Sequence, residues 1–347
     1  MTLPRGATIG ILGEGQLGRM LAQAAQKRGY RVHGYGHDPN SPLGQVTPFF
    51  TAASFDDTSA LAQFRQACAV VTSEFENVPL RALEITGCVP QVSIFALAQD
   101  RLYEKQTAQA LSMATAPFYP IENIDDLKVA LAKIGQQGVL KTRRLGYDGK
   151  GQWRISADTD LSALWASTPK SDLILEGVID FAFETSVLVA RNAAGQSVCF
   201  PCGENIHRDG ILYQTIVPGQ VQPHLQNQAQ KWGKSLADHL GLIGLLALEL
   251  FVLSDGGLVF NEIAPRPHNS GHWTLEGCDQ SQFDMAIGAL VGDELHPPVQ
   301  RAPVTMTNIL GDAILHPKTG PNTAWHDYGK AEPKPGRKMG HVSVLEI

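Results

Sequence analysis

Residues 245–253 read Leu-Leu-Ala-Leu-Glu-Leu-Phe-Val-Leu, residues 255–257 Asp-Gly-Gly, and residues 258–264 Leu-Val-Phe-Asn-Glu-Ile-Ala. Two short apolar runs on either side of a turn-forming dipeptide predict a β-hairpin. Each run carries one acid, Glu249 and Glu262, the second beside Asn261. An unpaired charge in a buried strand is costly. Two carboxylates facing each other across a hairpin repel unless a cation lies between them. Oxygen ligands without Cys or His suit Mg²⁺, which pairs them with substrate phosphates. For either acid alone, a salt bridge to a distant lysine is the plainer account. Both acids, followed at once by Ala264-Pro-Arg-Pro-His-Asn-Ser-Gly-His-Trp273, favour a metal–nucleotide site.

A chain of 347 residues has room for two or three domains, each with its own core. Its 43% hydrophobic and 18% charged content is that of an ordinary globular protein. The net charge of −6 gives no general attraction to nucleic acid or to an anionic membrane. No apolar run approaches the ~20 residues that cross a bilayer, and the first residues lack the layout of a signal peptide. Cys68, Cys88, Cys199, Cys202 and Cys278 are scattered and odd in number, as in a reducing compartment. The expectation is a cytoplasmic enzyme without nucleic-acid or membrane partners. Cys199-Phe-Pro-Cys202 has redox or zinc spacing, but with no second pair it is assigned no role.

Working outward to the N-terminus, residues 8–12 predict a buried strand, followed by Gly13-Glu-Gly15-Gln-Leu-Gly18. Leu17, Met20, Leu21, Ala24 and Ala25 then share one helix face. A second strand over residues 30–36 ends near Asp38, as in a dinucleotide fingerprint. Glycines there let backbone N–H groups approach an anion at a helix N-terminus. A nicotinamide site, another phosphate ligand and simple tight packing all remain open. A helix over 57–67 and a strand over 69–73 continue a parallel β–α–β pattern. The strand runs into Glu74-Phe-Glu-Asn-Val-Pro79, either a ligand loop or a capped turn. Residues 96–113 read as one long helix whose charges, Asp100, Arg101 and Lys105, are of the kind usually just solvated.

In the middle of the chain a helix over 125–135 leads to a short strand, 138–141, ending in Lys141. Thr142-Arg-Arg-Leu-Gly-Tyr-Asp-Gly-Lys-Gly-Gln152 follows, a glycine-rich cationic loop suited to closing over phosphates. Strands over 172–176 and 183–191, a polar loop over 205–211 and a helix over 226–240 lead back to the hairpin.

This order resembles the ATP-grasp superfamily and, within it, the 5-(carboxyamino)imidazole ribonucleotide synthase family. The resemblance rests on Gly15-Gln-Leu-Gly-Arg-Met20, Glu74-Phe-Glu-Asn-Val78, Asp100-Arg101, Gly146-Tyr-Asp-Gly-Lys-Gly-Gln152, the run from Asn261 to Trp273, and Pro335-Gly-Arg-Lys-Met-Gly-His341. Glu14, Ser73 and Lys334 depart from the usual pattern. The resemblance implies an α/β (α+β) ATP-grasp fold with an N-terminal Rossmann-like parallel-sheet domain (residues 1–100). A grasp domain (101–297) with a mobile lid at about 115–180 and a small C-terminal β domain (298–347) would follow. It implies ATP, bicarbonate and aminoimidazole ribonucleotide as substrates, Mg²⁺ as two ions, and a homodimer. Arg101, Lys141 and the flap Gly146, Tyr147, Asp148, Gly149, Lys150, Gly151 and Gln152 would hold phosphates. Glu176, Gly177, Val178 and Ile179 would meet the adenine, Glu184 the ribose, and His207 a nearby part of the nucleotide. Glu249 and Glu262 would hold the metal, and Asn261, with Glu262, would meet the cofactor. Arg266, His268 and Asn269 would bind bicarbonate, and Tyr147 and Lys150 the carboxyphosphate. Asp148 would orient or deprotonate the amine. Gln16, Leu17, Glu76 and Asn77 would meet the ribonucleotide, and Lys330, Arg337 and Lys338 its phosphate.

Three rivals differ in what they leave unused. Another ATP-grasp ligase, of the formate-dependent glycinamide ribonucleotide transformylase type, shares the lysines and acids but not the Arg266–His272 run or the Gly-Arg-Lys tail. A nicotinamide oxidoreductase leaves the hairpin and flap without purpose. A catalytically dead nucleotide-binding module has no need of both metal glutamates, Lys141 and the flap.

Overall fold

Ile9, Ile11 and Leu12 are fully buried, as the two covered faces of a central parallel strand require. That strand, β1 (Thr8–Leu12), lies between β2 (Arg31–Gly36) and β4 (Val70–Ser73). With β3 (Phe49–Ala52) the parallel order is β3-β2-β1-β4. Helices α1 (Gln16–Lys27), α2 (Thr58–Ala67), α3 (Leu80–Thr86) and α4 (Val92–Ala98) complete this part. The computed structural model describes residues 2–146, 151–170, 172–317 and 319–346.

The single helix expected over residues 96–113 is two. α4 ends at Ala98, and α5 (Arg101–Ala110) starts after Asp100, whose backbone is extended and whose carboxylate accepts the Leu102 N–H at 3.1 Å. An N-cap aspartate starts a new helix even where apolar periodicity runs on.

A small antiparallel sheet follows, β5 (Phe118–Ile121), β6 (Gly138–Thr142), β7 (Gln152–Ile155) and β8 (Leu173–Gly177), in the order β5-β8-β6-β7. Beside it lie α6 (Ile124–Ile134) and α7 (Leu161–Ser167). α6 opens with a reciprocal Asn123/Asp126 capping box and stops at Gly135, where φ is 87°, a conformation that costs glycine little. Leu127, Leu131, Leu140 and Leu175 form this unit's core.

The large antiparallel sheet contains β9 (Phe183–Arg191), β10 (Ser197–Cys199), β11 (Gly203–Arg208), β12 (Ile211–Val217), β13 (Gly244–Val252) and β14 (Leu258–Ala264). Three late strands, β15 (Val304–Leu310), β16 (Thr323–Asp327) and β17 (Lys338–Leu345), extend it. Its order is β14-β13-β9-β11-β12-β15-β17-β16, with β10 on β9. The polar loop expected over 205–211 is instead the β11–β12 hairpin, turned at Asp209 and Gly210 with positive φ. α8 (Pro223–His239), α9 (Thr274–Gly277) and α10 (Gln282–Val291) flank the sheet.

Strand β13 sorts its side chains with period two. Leu245 and Ala247 enter one core; Leu246, Leu248, Leu250 and Val252 enter the other. Glu249 and Phe251 continue the first face out of the core into a cleft. Among the described residues no helix is long and apolar enough to cross a membrane.

Candidate active site

The predicted hairpin forms, and Glu249 pairs directly with Glu262 across β13 and β14, next to a β-bulge. Both line a cleft of about 740 Å³ bounded by the small sheet and the large one. Neither acid faces the other bare. Arg101 Nη1 lies 2.7 Å from Glu262 Oε2, and its Nη2 donates to Gly146 O at 3.2 Å, tying α5 to the start of the flap. His268 Nε2 lies 3.1 Å from Glu249 Oε1. Burial opposes the Glu249 charge, but His268, His207 and Arg266 hold its pKa well below the usual carboxylate range.

His268 is oriented from behind by a chain of buried polar groups. Thr215 Oγ1 donates to Asn205 Oδ1 at 3.0 Å, and Asn205 Nδ2 to Ser186 Oγ at 3.1 Å. Ser186 Oγ then meets Ser270 Oγ at 2.7 Å, and Ser270 Oγ meets His268 Nδ1 at 2.8 Å. Each donor proton has one partner along this row, so His268 accepts at Nδ1 and donates from Nε2 to Glu249.

On the nucleotide wall, Glu176 Oε2 is shared by Lys141 at 2.9 Å and Lys105 at 3.3 Å. Burial opposes the Glu176 charge, but the two lysines draw its pKa down to about 2. Lys141 moves down because burial outweighs its share of that single anion. Lys105 Nζ also donates to Asn261 O at 3.0 Å. Gly177, Val178 and Ile179 line the cleft, and Phe181 stacks on Phe251 at 4.5 Å, a flat apolar floor suited to a base. Glu184 Oε1 lies 3.1 Å from His207 Nδ1. Burial lowers the His207 pKa, but Glu184 and Glu249 raise it further, for a net rise. Gly146, Gly151 and Gln152 are at the cleft, whereas Tyr147, Asp148, Gly149 and Lys150 lie outside the described residues.

At the opposite end Arg266 pairs with Glu76 and donates to Pro267 O at 2.9 Å. Asn269 Oδ1 accepts from Gln16 Nε2 at 3.4 Å and from His272 Nε2 at 3.2 Å. His272 can donate there because Gln282 Nε2 points at its Nδ1, 3.2 Å away, and burial holds its pKa well below the usual value. With its oxygen engaged twice, Asn269 has its amide N–H₂ as the donor left for an oxyanion.

Glu76, Asn77 and Lys338 line the cleft. Gln16 reaches it through Asn269, while Leu17 is buried in the N-terminal core. Lys330 donates to Lys338 O at 2.6 Å, and Arg337 to Glu332 O at 3.2 Å, so these two are not brought to the cleft wall.

Two expectations for charged loops are corrected. Arg143 and Arg144 do not reach out for phosphate. Arg143 forms a two-pronged pair with Asp100 at 2.9 and 2.7 Å, and Arg144 adds a contact at 3.1 Å. They anchor the base of the flap. The glycine loop is not an open anion cradle either. Glu74 Oε1 accepts the N–H groups of Glu14 at 3.0 Å and Gly15 at 2.5 Å, and Oε2 accepts that of Gly18 at 2.9 Å. A Cβ on Gly13, where φ is 119°, would stand 2.2 Å from Glu74 Cγ. Burying a carboxylate costs several kcal/mol. Three charge-assisted bonds of about 1.5–3 kcal/mol each oppose that cost, but burial outweighs them and Arg266 together, so the Glu74 pKa is raised.

Sequence reasoning missed Glu74, Asp100, Glu104, Lys105, Ser270 and His272. Glu104 accepts the Ile263 N–H at 3.0 Å, and burial with nearby Glu262 pushes its pKa up to about 8. One signal was available. Asp100, Arg101, Glu104 and Lys105 recur at helical spacing, a wholly charged face that a solvated helix does not need. The Cys199 and Cys202 thiols are unpaired, and burial pushes each to about 12, which leaves them inert.

Among the described residues, two groups bring three potential metal-ligand atoms within 4.8 Å of one another, Glu184/His207/Glu249 and Glu276/His326/His341. In the second, the rings of His326 and His341 stack at 4.3 Å and 14°, so their lone pairs lie in separate, near-parallel planes, a poor arrangement for meeting at one ion.

Comparison with known proteins agrees over the whole length. The chain matches the ribonucleotide synthetase preATP-grasp domain at residues 6–99, the ATP-grasp domain at 106–283, and the phosphoribosylaminoimidazole carboxylase C-terminal domain at 304–346. It is 41% identical to the N5-carboxyaminoimidazole ribonucleotide synthase of Brucella melitensis, over 99% of this chain and 98% of that one. It is 39% identical to the bifunctional purine synthesis protein purC/E of Dictyostelium discoideum, of whose length it spans 37%, with 99% of this chain matched. The crystal structure of N5-carboxyaminoimidazole synthetase from Staphylococcus aureus complexed with ADP superposes with a TM-score of 0.93 at 37% identity, covering 99% of this chain and 94% of that one. The Aspergillus clavatus enzyme in complex with ADP and 5-aminoimidazole ribonucleotide gives 0.90 at 27%, with the same coverages. The fold is the mixed α/β ATP-grasp fold, with an N-terminal parallel sheet and a C-terminal antiparallel sheet. The chain belongs to the N5-carboxyaminoimidazole ribonucleotide synthase family.

Proposed function

We propose that this cleft carboxylates 5-aminoimidazole ribonucleotide with ATP and bicarbonate, as a step of purine biosynthesis. The products are 5-(carboxyamino)imidazole ribonucleotide, ADP and phosphate. The observation that carries this reading is the meeting of two chemistries in one cleft. The opposed acids Glu249 and Glu262 sit beside Arg266, His268 and Asn269, which suit a small oxyanion.

The roles are those the family resemblance implies, supported by position where the residues are described. Lys141, Arg101 and the flap at residues 146–152 hold the phosphates. Glu176, Gly177, Val178 and Ile179 meet the base above the Phe181–Phe251 floor, with Glu184 and His207 along the ribose. Glu249 and Glu262 offer the carboxylate oxygens that a hard cation takes, and Asn261 beside them meets the cofactor. Mg²⁺ held there, as two ions, supplies charge neutralisation at the phosphate oxygens. Arg266, His268 and Asn269 hold bicarbonate as its oxygen attacks the γ-phosphorus and ADP leaves. Tyr147 and Lys150 retain the resulting carboxyphosphate, and flap closure keeps water from it. Asp148 orients the exocyclic amine or takes its proton. Gln16, Glu76 and Asn77 bound the ribonucleotide, with Leu17 in the core behind Gln16, and Lys338 receives its 5′-phosphate, with Lys330 and Arg337 adding positive charge from off the cleft wall.

We divide the chain for this purpose at residues 1–100, 101–297 and 298–347, with a lid at about 115–180. A cytoplasmic setting is supported by the five unpaired cysteines, and a homodimer by the family resemblance. The test is ADP release from ATP and Mg²⁺ with bicarbonate, with the ribonucleotide added or withheld. Dependence on the ribonucleotide, with labelled bicarbonate carbon in an acid-labile product, supports the carboxylase. ADP release that ignores the ribonucleotide but answers to formate discards it in favour of the transformylase type.

A further inference from the structure

Glu74 occupies the place that a ligand's phosphate takes in a glycine-rich loop at a helix N-terminus. Its carboxylate satisfies the amides of Glu14, Gly15 and Gly18, and the side chain fills the space above Gly13 and Gly15. A phosphate arriving there would have to displace a buried carboxylate and leave its charge unpaired. The next turn of chain is fixed as well. Ser73 Oγ donates to Phe75 O at 2.9 Å, Phe75 packs edge-on against Phe55 at 5.7 Å, and Glu76 pairs with Arg266. Residues 74–76 therefore grip the glycine loop with one carboxylate and the arginine of the bicarbonate end with another. From the glycine loop, Gln16 Nε2 reaches Asn269 Oδ1.

We propose that Glu74 is the resident anion of the glycine loop, closing it to phosphate ligands and holding it as the platform that places Gln16 and Asn269 against the ribonucleotide. Glu74 is a positioning residue, and the proposal rests on the reading of the cleft as a ribonucleotide carboxylase. It also accounts for the 5′-phosphate being met at the Lys338 end instead of at the glycines.

The test compares wild type, Glu74→Ala and Glu74→Gln in the full chain. The alanine variant removes the atoms that acetate can replace, while glutamine keeps the volume but offers one acceptor oxygen. For Glu74→Ala we expect the KM for the ribonucleotide to rise about tenfold or more, since a platform displaced by an ångström loses orientation. The KM for ATP should stay within about twofold, because the nucleotide wall is built from other elements. Acetate, but not chloride at equal ionic strength, should restore both the KM and the melting temperature. Glu74→Gln should show the same KM rise to a smaller degree, and it serves alone if the alanine variant does not fold. An unchanged ribonucleotide KM in the folded variants overturns the proposal. So does a raised KM that acetate leaves untouched, which is what simple loss of packing would give. The melting-temperature arm uses no substrate. It judges the resident anion even if wild type shows no ribonucleotide-dependent turnover, the result that would instead sink the carboxylase reading.

Discussion

Glu249 and Glu262 stand directly opposite each other on β13 and β14, yet each is held by a different side chain from outside the hairpin. His268 takes the first at 3.1 Å and Arg101 the second at 2.7 Å. Each carboxylate thus has a hydrogen-bond donor of its own, and both remain on the cleft wall. The repulsion that a hairpin acid pair should suffer is answered by side chains already in place.

Glu262→Gln should therefore abolish turnover while sparing the fold. Glutamine keeps an acceptor for Arg101, so the hairpin loses little. What it loses is one of the two anionic ligands proposed for Mg²⁺. ADP release should fall about a hundredfold or more, the scale of losing one charge-stabilising contact at a reacting phosphoryl group. The melting temperature should move by only a few degrees. Steady-state ADP release and thermal unfolding on the same preparation check this, and near-normal turnover would remove the metal assignment.

Lys338 is the one member of the predicted phosphate cluster at the cleft wall. Lys338→Ala should raise the KM for the ribonucleotide about ten- to hundredfold, the equivalent of one charge-assisted hydrogen bond at about 1.5–3 kcal/mol. The KM for ATP should hardly change. Arg337→Ala, whose guanidinium turns to Glu332 O, should do much less. Equal effects of the two substitutions would place the phosphate elsewhere.

The hairpin was legible in the sequence because apolar runs, a turn dipeptide and isolated acids are all local signals. The glycine loop was legible as a loop but not in its content. Nothing local announces that Glu74, some sixty residues on, fills it. α5 misled for a related reason. Asp100, Glu104 and Lys105 have helical spacing, and spacing alone cannot distinguish water from a partner strand. Their burial follows from α5 packing on β14, where Lys105 meets Asn261 and Glu104 meets Ile263. His272 and Ser270 lay within a run flagged for bicarbonate, but their task of setting the direction of neighbouring groups needs coordinates.

The Glu176 pair predicts a pH dependence of stability. Its folded pKa of about 2 lies below the ordinary 4.5. A depressed carboxyl pKa stabilises the protein above the unfolded value and loses that contribution as pH falls through the folded one. The window is thus from about pH 4.5 down to about 2, and the amount is about 3 kcal/mol. The Lys141 pKa is lowered too, so it also makes stability rise with pH, but in an alkaline window below its ordinary 10.5 and away from this one. Acid unfolding followed by circular dichroism should show a shallower fall below pH 4.5 in Glu176→Gln than in wild type. Parallel curves would mean that the two lysines do not hold this carboxylate.

Ser270 offers the sharpest test of how the bicarbonate end is set. Its hydroxyl bridges Ser186 and His268, and the row behind it reaches Thr215 through Asn205. Ser270→Ala removes the donor to His268 Nδ1 and leaves there only the Ser270 backbone N–H, at 3.4 Å. The imidazole then has less reason to keep its proton on Nε2, facing Glu249. One neutral hydrogen bond contributes about 1 kcal/mol, so kcat/KM for bicarbonate should fall about five- to tenfold with the KM for ATP unchanged. Nitrogen-15 chemical shifts of His268 should show the Nδ1-protonated form appearing in the variant. Ser270→Thr, which retains a hydroxyl, should recover part of the bicarbonate effect. A fall in activity with the His268 tautomer unaltered would assign Ser270 to packing and leave the imidazole held by Glu249 alone.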